Sequence, residues 1–200
     1  MTSNRFCNIA IAAAGGFLAV VTLTAVGAIA TQARVTTPST FSVKTTKSSA
    51  FPNSVASTPA RCQTSQLSVR QVSGDAGVGN RAILYAFTNT SSSVCTLYGY
   101  PKFQPLNAKG QPIKEIQVIQ SEITYFHQGK LRQVTLAPGA QASFQIAYNA
   151  VHEGQSCTQV SKVKIAPPNT DQFLTLTEQF TPCGAHGGLI KVTPVESGII

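Results

Sequence analysis

Four cysteines, three histidines and seven carboxylates carry most of the reactive chemistry beyond residue 60, and their spacing limits what the chain can do. His127, His152 and His186 stand apart, with no H-x-H among them. His152-Glu153 lacks the second histidine of H-E-x-x-H, because Ser156 occupies that place. A copper–zinc site of the dismutase kind needs more histidines than the chain owns. Three histidines could form a metal site only if the fold gathered them, and surface or loop histidines are the preferred reading. Cys183-Gly184-Ala185-His186 has metal-like spacing, but a disulfide-bonded Cys183 has no thiolate to offer. The only methionine is Met1, which excludes a thioether copper carrier.

Nucleophile and phosphate motifs fare no better. There is no G-x-S-x-G. Ser161-Lys162-Val163-Lys164 matches S-x-x-K, yet that motif acts at a helix start and here it runs into a β-type segment. Gly74, Gly77 and Gly79 are spaced G-x-x-G-x-G, without the following helix that a dinucleotide loop requires. The acids are scattered, so a glycosidase pair would have to converge in space. Neither a catalytic residue nor a cofactor is expected.

The cysteines point to stability instead. Cys62, Cys95, Cys157 and Cys183 form an even set after the leader, and no C-x-x-C is present. Outside the cytoplasm such a set reads as two structural disulfides, for which sequence allows three pairings. The sequential pairing, Cys62–Cys95 and Cys157–Cys183, is favoured, each bridge contributing about 3–4 kcal/mol through loop closure.

The elements that hold these residues are strands. Leu67–Val72 is followed by a Gly-rich turn from Gly74 to Asn80, then by the apolar stretch Arg81–Asn89. Further strands are predicted at Cys95–Tyr100, Lys102–Leu106, Ile113–Gln120 and Arg132–Leu136, with a weaker one at Ile123–His127. Asn107–Gly110 and Ala137–Ala140 read as turns. Beyond the second turn, Ala142, Phe144, Ile146 and Tyr148 alternate with Ser143, Gln145 and Ala147, which predicts one buried face. Lys162–Ala166, Phe173–Thr177 and Leu189–Val195 complete the set. No stretch after Ala30 keeps a helical period. The fold class is all-β: an antiparallel, Greek-key β-sandwich of roughly eight to ten strands, with a closed barrel as the alternative. Some 140 residues suffice for a proper core.

The first sixty residues differ in texture. Ile9–Ala30 is an uncharged, mostly apolar run of 22 residues behind Arg5, ending in Ala28-Ile29-Ala30. That is the plan of a secretory signal, although the run is long enough to serve as an uncleaved membrane anchor. Thr31–Ala60 holds seven Thr, six Ser and three Pro with no acid, and is predicted to be a disordered spacer. The organisation is therefore 1–30 leader or anchor, 31–60 spacer and 61–200 β-sandwich. In either case the sandwich lies outside the cytoplasm, secreted or anchored.

Cys62, then Phe87-Thr88-Asn89, then C-T-L-Y-G-Y-P over Cys95–Pro101, recur in order with Leu136–Gly139, Cys157, Ile165–Pro168 and Pro182-Cys183-Gly184. This pattern resembles a family of secreted or envelope-anchored bacterial domains of unknown function, over about residues 62–195. The resemblance implies an Ig-like sandwich with paired cysteines behind a leader and a low-complexity spacer. It implies no activity, cofactor or catalytic residue. Lipid anchoring would need a cysteine after the apolar run, whereas Cys7 precedes it.

Within the motif, Gly99 and Pro101 mark a strand corner. Tyr100 is expected to pack there with its hydroxyl capping a backbone group. The alternative makes Tyr98 and Tyr100 an exposed sugar-stacking platform. The expected function is a noncatalytic binding or structural module of the bacterial envelope, its partner an envelope polymer or envelope protein. Alternatives are a hydrolase whose site forms only in three dimensions, or a metal-carrying envelope protein. The formal charge of +8 invites a nucleic-acid reading. Setting aside Arg5, Arg34, Lys44 and Lys47, however, leaves 11 basic residues beside all seven acids. The sandwich then carries only +4, with no basic cluster interleaved with aromatics, so no nucleic-acid partner is expected. The surplus of charge reads as a property of the whole chain, without a clue to a site.

Overall fold

The computed structural model describes residues 58–151 and 153–200; the leader, spacer residues 31–57 and His152 lie outside the described residues. Within them the sequence forms strands and no α-helix, with two short 3-10 turns at Thr64–Gln66 and Ala185–Gly187. In chain order the strands are β1 (Leu67–Gly77), β2 (Asn80–Asn89), β3 (Cys95–Leu97), β4 (Lys102–Leu106), β5 (Gln117–Gln120), β6 (Val134–Leu136) and β7 (Gln141–Asn149). They continue as β8 (Ser156–Cys157), β9 (Val160–Ala166), β10 (Leu174–Phe180), β11 (Cys183–Gly184), β12 (Leu189–Val192) and β13 (Glu196–Ser197).

These strands build the predicted sandwich. One sheet runs β1-β2-β7-β12-β5, with β13 also on β7; the other runs β10-β9-β4. The pairs β2–β7 and β4–β9 join strands distant in sequence, the long-range pairing expected of a Greek key. The sheets are antiparallel except that β12 pairs in parallel with β5. Two small ladders, β3–β6 and β8–β11, flank the main sheets.

Rings from both sheets fill the space between them. Tyr85 and Phe87 on β2 stack on Phe144 of β7, each with centroids 5.5 Å apart. Tyr85 also meets Phe103 of the opposite sheet at 6.0 Å, and Tyr148 meets Phe180 at 5.1 Å. Val163, Ile165 and Ile190 complete this buried layer. Pro105 is tolerated in β4 because that strand is the edge of its sheet.

Burial on β7 departs from the predicted single face: Ala142 through Ala147 are all buried. Residues 121–131 and the C-terminal stretch supply the extra partners for its outward side. Thr124 Oγ1 donates to Gln145 Oε1 at 2.7 Å, and the Gln145 N–H donates to Thr193 Oγ1 at 2.8 Å. The Ile200 N–H donates to Ser143 Oγ at 3.2 Å. These bonds offset much of the cost of burying the Ser143 hydroxyl and the Gln145 side-chain oxygen. The weak strand predicted at Ile123–His127 is instead a turn organised by Thr124, whose hydroxyl accepts from the Phe126 and His127 N–H groups.

Both predicted disulfides are formed, Cys62–Cys95 and Cys157–Cys183. The second joins residues directly opposite one another on β8 and β11. Two structural disulfides indicate an oxidising, extracytoplasmic setting.

The Gly-rich turn is shorter than predicted, because β1 continues to Gly77 and only Val78-Gly79 reverse the chain. Both have positive φ, 45° and 78°, as a type I′ hairpin turn requires. Val78 is β-branched and pays for that conformation in strain, while its side chain is 86% exposed and packs on little. Val78→Asn is therefore expected to stabilise the protein by about 1 kcal/mol, seen as a higher urea midpoint at unchanged slope.

Candidate functional site

Sheet change between β3 and β4 creates the most distinctive surface. The chain leaves the β3–β6 ladder at Leu97 and enters the three-stranded sheet at Lys102. Gly99 makes the corner with φ of 112°, a conformation that a side chain would strain, and its carbonyl accepts the Val195 N–H at 3.0 Å. Pro101 is buried behind it. Across the corner, Asn169 donates its side-chain amide to the Tyr98 carbonyl at 3.0 Å. The backbone of the motif is thus fixed from two sides.

Its aromatic rings are not consumed by that framework. Tyr98 is 53% exposed and Tyr100 is half-buried. Among the described residues no group takes a hydrogen bond from the Tyr100 hydroxyl, and the ring lines a groove. Partial burial, with the Glu122 carboxylate nearby, holds the Tyr100 phenol above its usual range, leaving it neutral and able to donate.

The groove encloses about 510 Å³ and is lined by Tyr98, Tyr100, Lys102, Gln120, Asn169 and Asp171, among others. Lys102 and Asp171 form an ion pair on its rim. A second depression of about 230 Å³ shares Tyr98 and Asn169 and adds Arg61, Thr96 and Gln133. Tyr98 therefore borders polar surface on both sides. An aromatic face beside planar amides and hydroxyls is equipped to stack on an apolar ring face while hydrogen-bonding its polar rim. A nucleophile with an adjacent base is not part of this lining.

The remaining candidates are placed elsewhere. Ser161 and Lys164 lie three apart on β9, so they point to opposite faces and cannot act as a catalytic pair. Cys183 is disulfide-bonded and His186 occupies the short turn after it with φ of 57°. His127, which the sequence leaves isolated, is paired with Glu196 and ties the 121–131 segment to the C-terminal stretch. No three His, Cys, Asp or Glu side chains among the described residues converge to hold a metal ion.

Two features escape the sequence. One is an apolar cavity of about 430 Å³, lined by Ile123, Tyr125, Leu189 and the ends of β2 and β7. Its signal, the Ile123–His127 stretch, mimics a strand. The other is Glu178, which shares the alternating row of Leu174, Leu176 and Phe180 on β10 and faces inward at the sheet edge. Burial raises its pKa. The folded state then binds more protons than the unfolded state between the ordinary Glu range and that raised value, so stability falls as pH rises through the window. Glu178→Gln is expected to lack this slope and to be more stable at neutral pH. Solvent screening limits the gain to a fraction of 1 kcal/mol, and it should vanish below the ordinary Glu range. Urea titrations at several pH values check both the sign and the window.

No curated protein matches the chain. The family model described as Domain of unknown function (DUF4232) matches residues 62–196, from the first bridging cysteine to the start of the last strand.

Proposed function

We propose, for a chain that belongs to the family of the Domain of unknown function DUF4232, a noncatalytic binding role in the bacterial cell envelope, exercised through the groove at Tyr98 and Tyr100. The observation that carries this reading is the exposed Tyr98 ring, held by a fixed corner between two polar depressions. A large ring kept at the surface by its backbone contributes little to the core. In a binding site it supplies rigid contact area at low entropic cost. The disulfides suit the oxidising environment outside the cytoplasm. The apolar N-terminal run serves as the export signal or membrane anchor, and the Ser/Thr/Pro-rich spacer gives the sandwich reach toward wall polymers.

The reading is tested by co-sedimentation of the full chain with isolated bacterial cell walls, wild type against Tyr98→Ala. Because Tyr98 is exposed, the variant should keep its melting temperature, with stability changed by no more than about 0.5 kcal/mol. Its retention should drop roughly tenfold or more, as for a central aromatic contact. Equal retention of both proteins would remove Tyr98 from the site. Loss of folding in the variant would show that the ring is a structural part of the corner.

A further inference from the structure

The outward side of the β10-β9-β4 sheet continues directly from the groove, and its composition is one-sided. Register places Lys102 beside Ala166, Gln104 beside Lys164 and Leu106 beside Lys162. On the other flank, Thr175 stands beside Lys164 and Thr177 beside Lys162. Directly paired residues share a face, so these side chains lie opposite the core-facing Phe103, Val163 and Ile165. Lys102, Gln104, Lys162, Lys164, Thr175 and Thr177 remain at least partly exposed there, whereas Leu106 and Ala166 on the same face are buried. Lys102 is common to this surface and to the Tyr98 groove.

Three ammonium groups therefore line a track of hydroxyls and amides that begins at the aromatic corner. No acid occupies an outward position of β4, β9 or β10 in these paired stretches. Asp171, in the loop beyond β9, pairs with Lys102, whereas Lys162 and Lys164 are in neither ion pair found among the described residues. Lys162 and Lys164 sit two apart on a central strand, roughly 6.6 Å along it, and remain partly exposed. Like charges placed this close, without a neutralising partner, cost stability. Such an arrangement gains when an anion lies across it.

We propose that the ligand of the Tyr98 groove is an anionic envelope polysaccharide or polyol polymer, whose repeating carboxylate or phosphate groups cross the Lys102–Lys164–Lys162 track. This inference rests on the groove reading and adds the charge class of the ligand. Tyr98 and Tyr100 stack against the polymer at one end, the lysines neutralise its charges along the sheet, and Gln104, Thr175 and Thr177 offer hydrogen bonds between them. Sparse, flexible lysines on a flat sheet match a mobile, repetitive chain better than a single compact ligand.

Binding of the full chain is measured against polygalacturonate, poly(glycerol phosphate) and neutral dextran at 50 and 200 mM NaCl. At least one acidic polymer should bind, weakening roughly ten- to thirtyfold between those salt concentrations as charge contacts are screened. Lys162→Gln/Lys164→Gln should bind it several-fold more weakly at low salt and lose most of the salt dependence, with a melting temperature no lower than that of the wild type because the like-charge repulsion is relieved. The carboxylate and phosphate polymers distinguish the two sources of charge. Dextran binding that depends on Tyr98 but not on salt would overturn this inference and leave the groove reading intact. Acidic-polymer binding unaffected by the lysine changes would also overturn it. Failure to bind any of the three polymers would overturn it as well, and cell-wall retention lost in Tyr98→Ala would show the groove reading surviving that failure.

Discussion

Removing the Cys62–Cys95 bridge by double substitution to alanine is expected to cost about 4–5 kcal/mol, more than removing Cys157–Cys183, at about 3 kcal/mol. Loop closure alone would make the two nearly equal, since the bridges span 33 and 26 positions and the entropy term grows only logarithmically. Surroundings separate them. Cys62 and Cys95 are each 1% exposed and belong to the main hydrophobic core. Losing their sulfurs leaves a cavity that the neighbouring side chains can close only in part. Around them the Cys62 N–H donates to the Thr96 carbonyl and the Thr96 N–H to that of Ala60, so the bridge anchors the point where the chain enters the sandwich. Cys157, by contrast, is only half-buried and sits in a two-residue ladder at the periphery. Urea unfolding of the oxidised wild type and both double variants reads the order directly. A domain of this size has about 5–15 kcal/mol in total, so the first variant should approach the limit of stable folding.

Phe144→Ala is expected to cost about 3–5 kcal/mol. Phe144 is fully buried on β7, a central strand, and its ring stacks on both Tyr85 and Phe87. The substitution deletes two aromatic contacts and opens a void in the layer shared by the two sheets. Phe173→Ala is the matched control, because Phe173 is 38% exposed and lies outside the core cluster. Its effect should stay near or below about 1 kcal/mol. Equal losses in the two variants would mean that the core is centred elsewhere.

What the sequence disclosed follows the range of the forces involved. Local patterns were sufficient for β2, β4 and the inner row of β7, because alternation, Pro placement and turn residues act within a few positions. The turns at Asn107–Gly110 and Ala137–Ala140 close with the expected hydrogen bonds, 2.9 Å in each case. Parity pointed to two disulfides, and the structure forms the favoured sequential pairing among the three that the sequence allows. Failures occurred where a distant segment changed the environment. Ser143 and Gln145 look solvent-facing until Thr124, Thr193 and the Ile200 N–H supply partners. The Gly-rich segment after Val72 looks like a loop, yet pairing with Ala82, Ile83 and Leu84 holds it in β1.

The proposed binding surface was half legible for the same reason. C-T-L-Y-G-Y-P announced a corner and two tyrosines, but the bond from Asn169 to the Tyr98 carbonyl and the groove wall at Pro168 come from a distant segment. The lysine track was invisible, since Lys102 and Lys164 come together only through β4–β9 pairing of segments some sixty residues apart. A modest net charge on the sandwich concealed its uneven distribution. Three of the sandwich's eleven basic residues, Lys102, Lys162 and Lys164, stand together on one sheet face.

The most direct test follows the backbone amide resonances of the isotopically labelled protein while fragments of purified wall polymer are added. Shifts concentrated at Tyr98–Lys102, Asn169 and Asp171, extending along Gln104, Lys162 and Lys164, are the predicted result. Saturable shifts confined to the Ile123, Tyr125 and Leu189 cavity, with the Tyr98 groove unmoved, would contradict it.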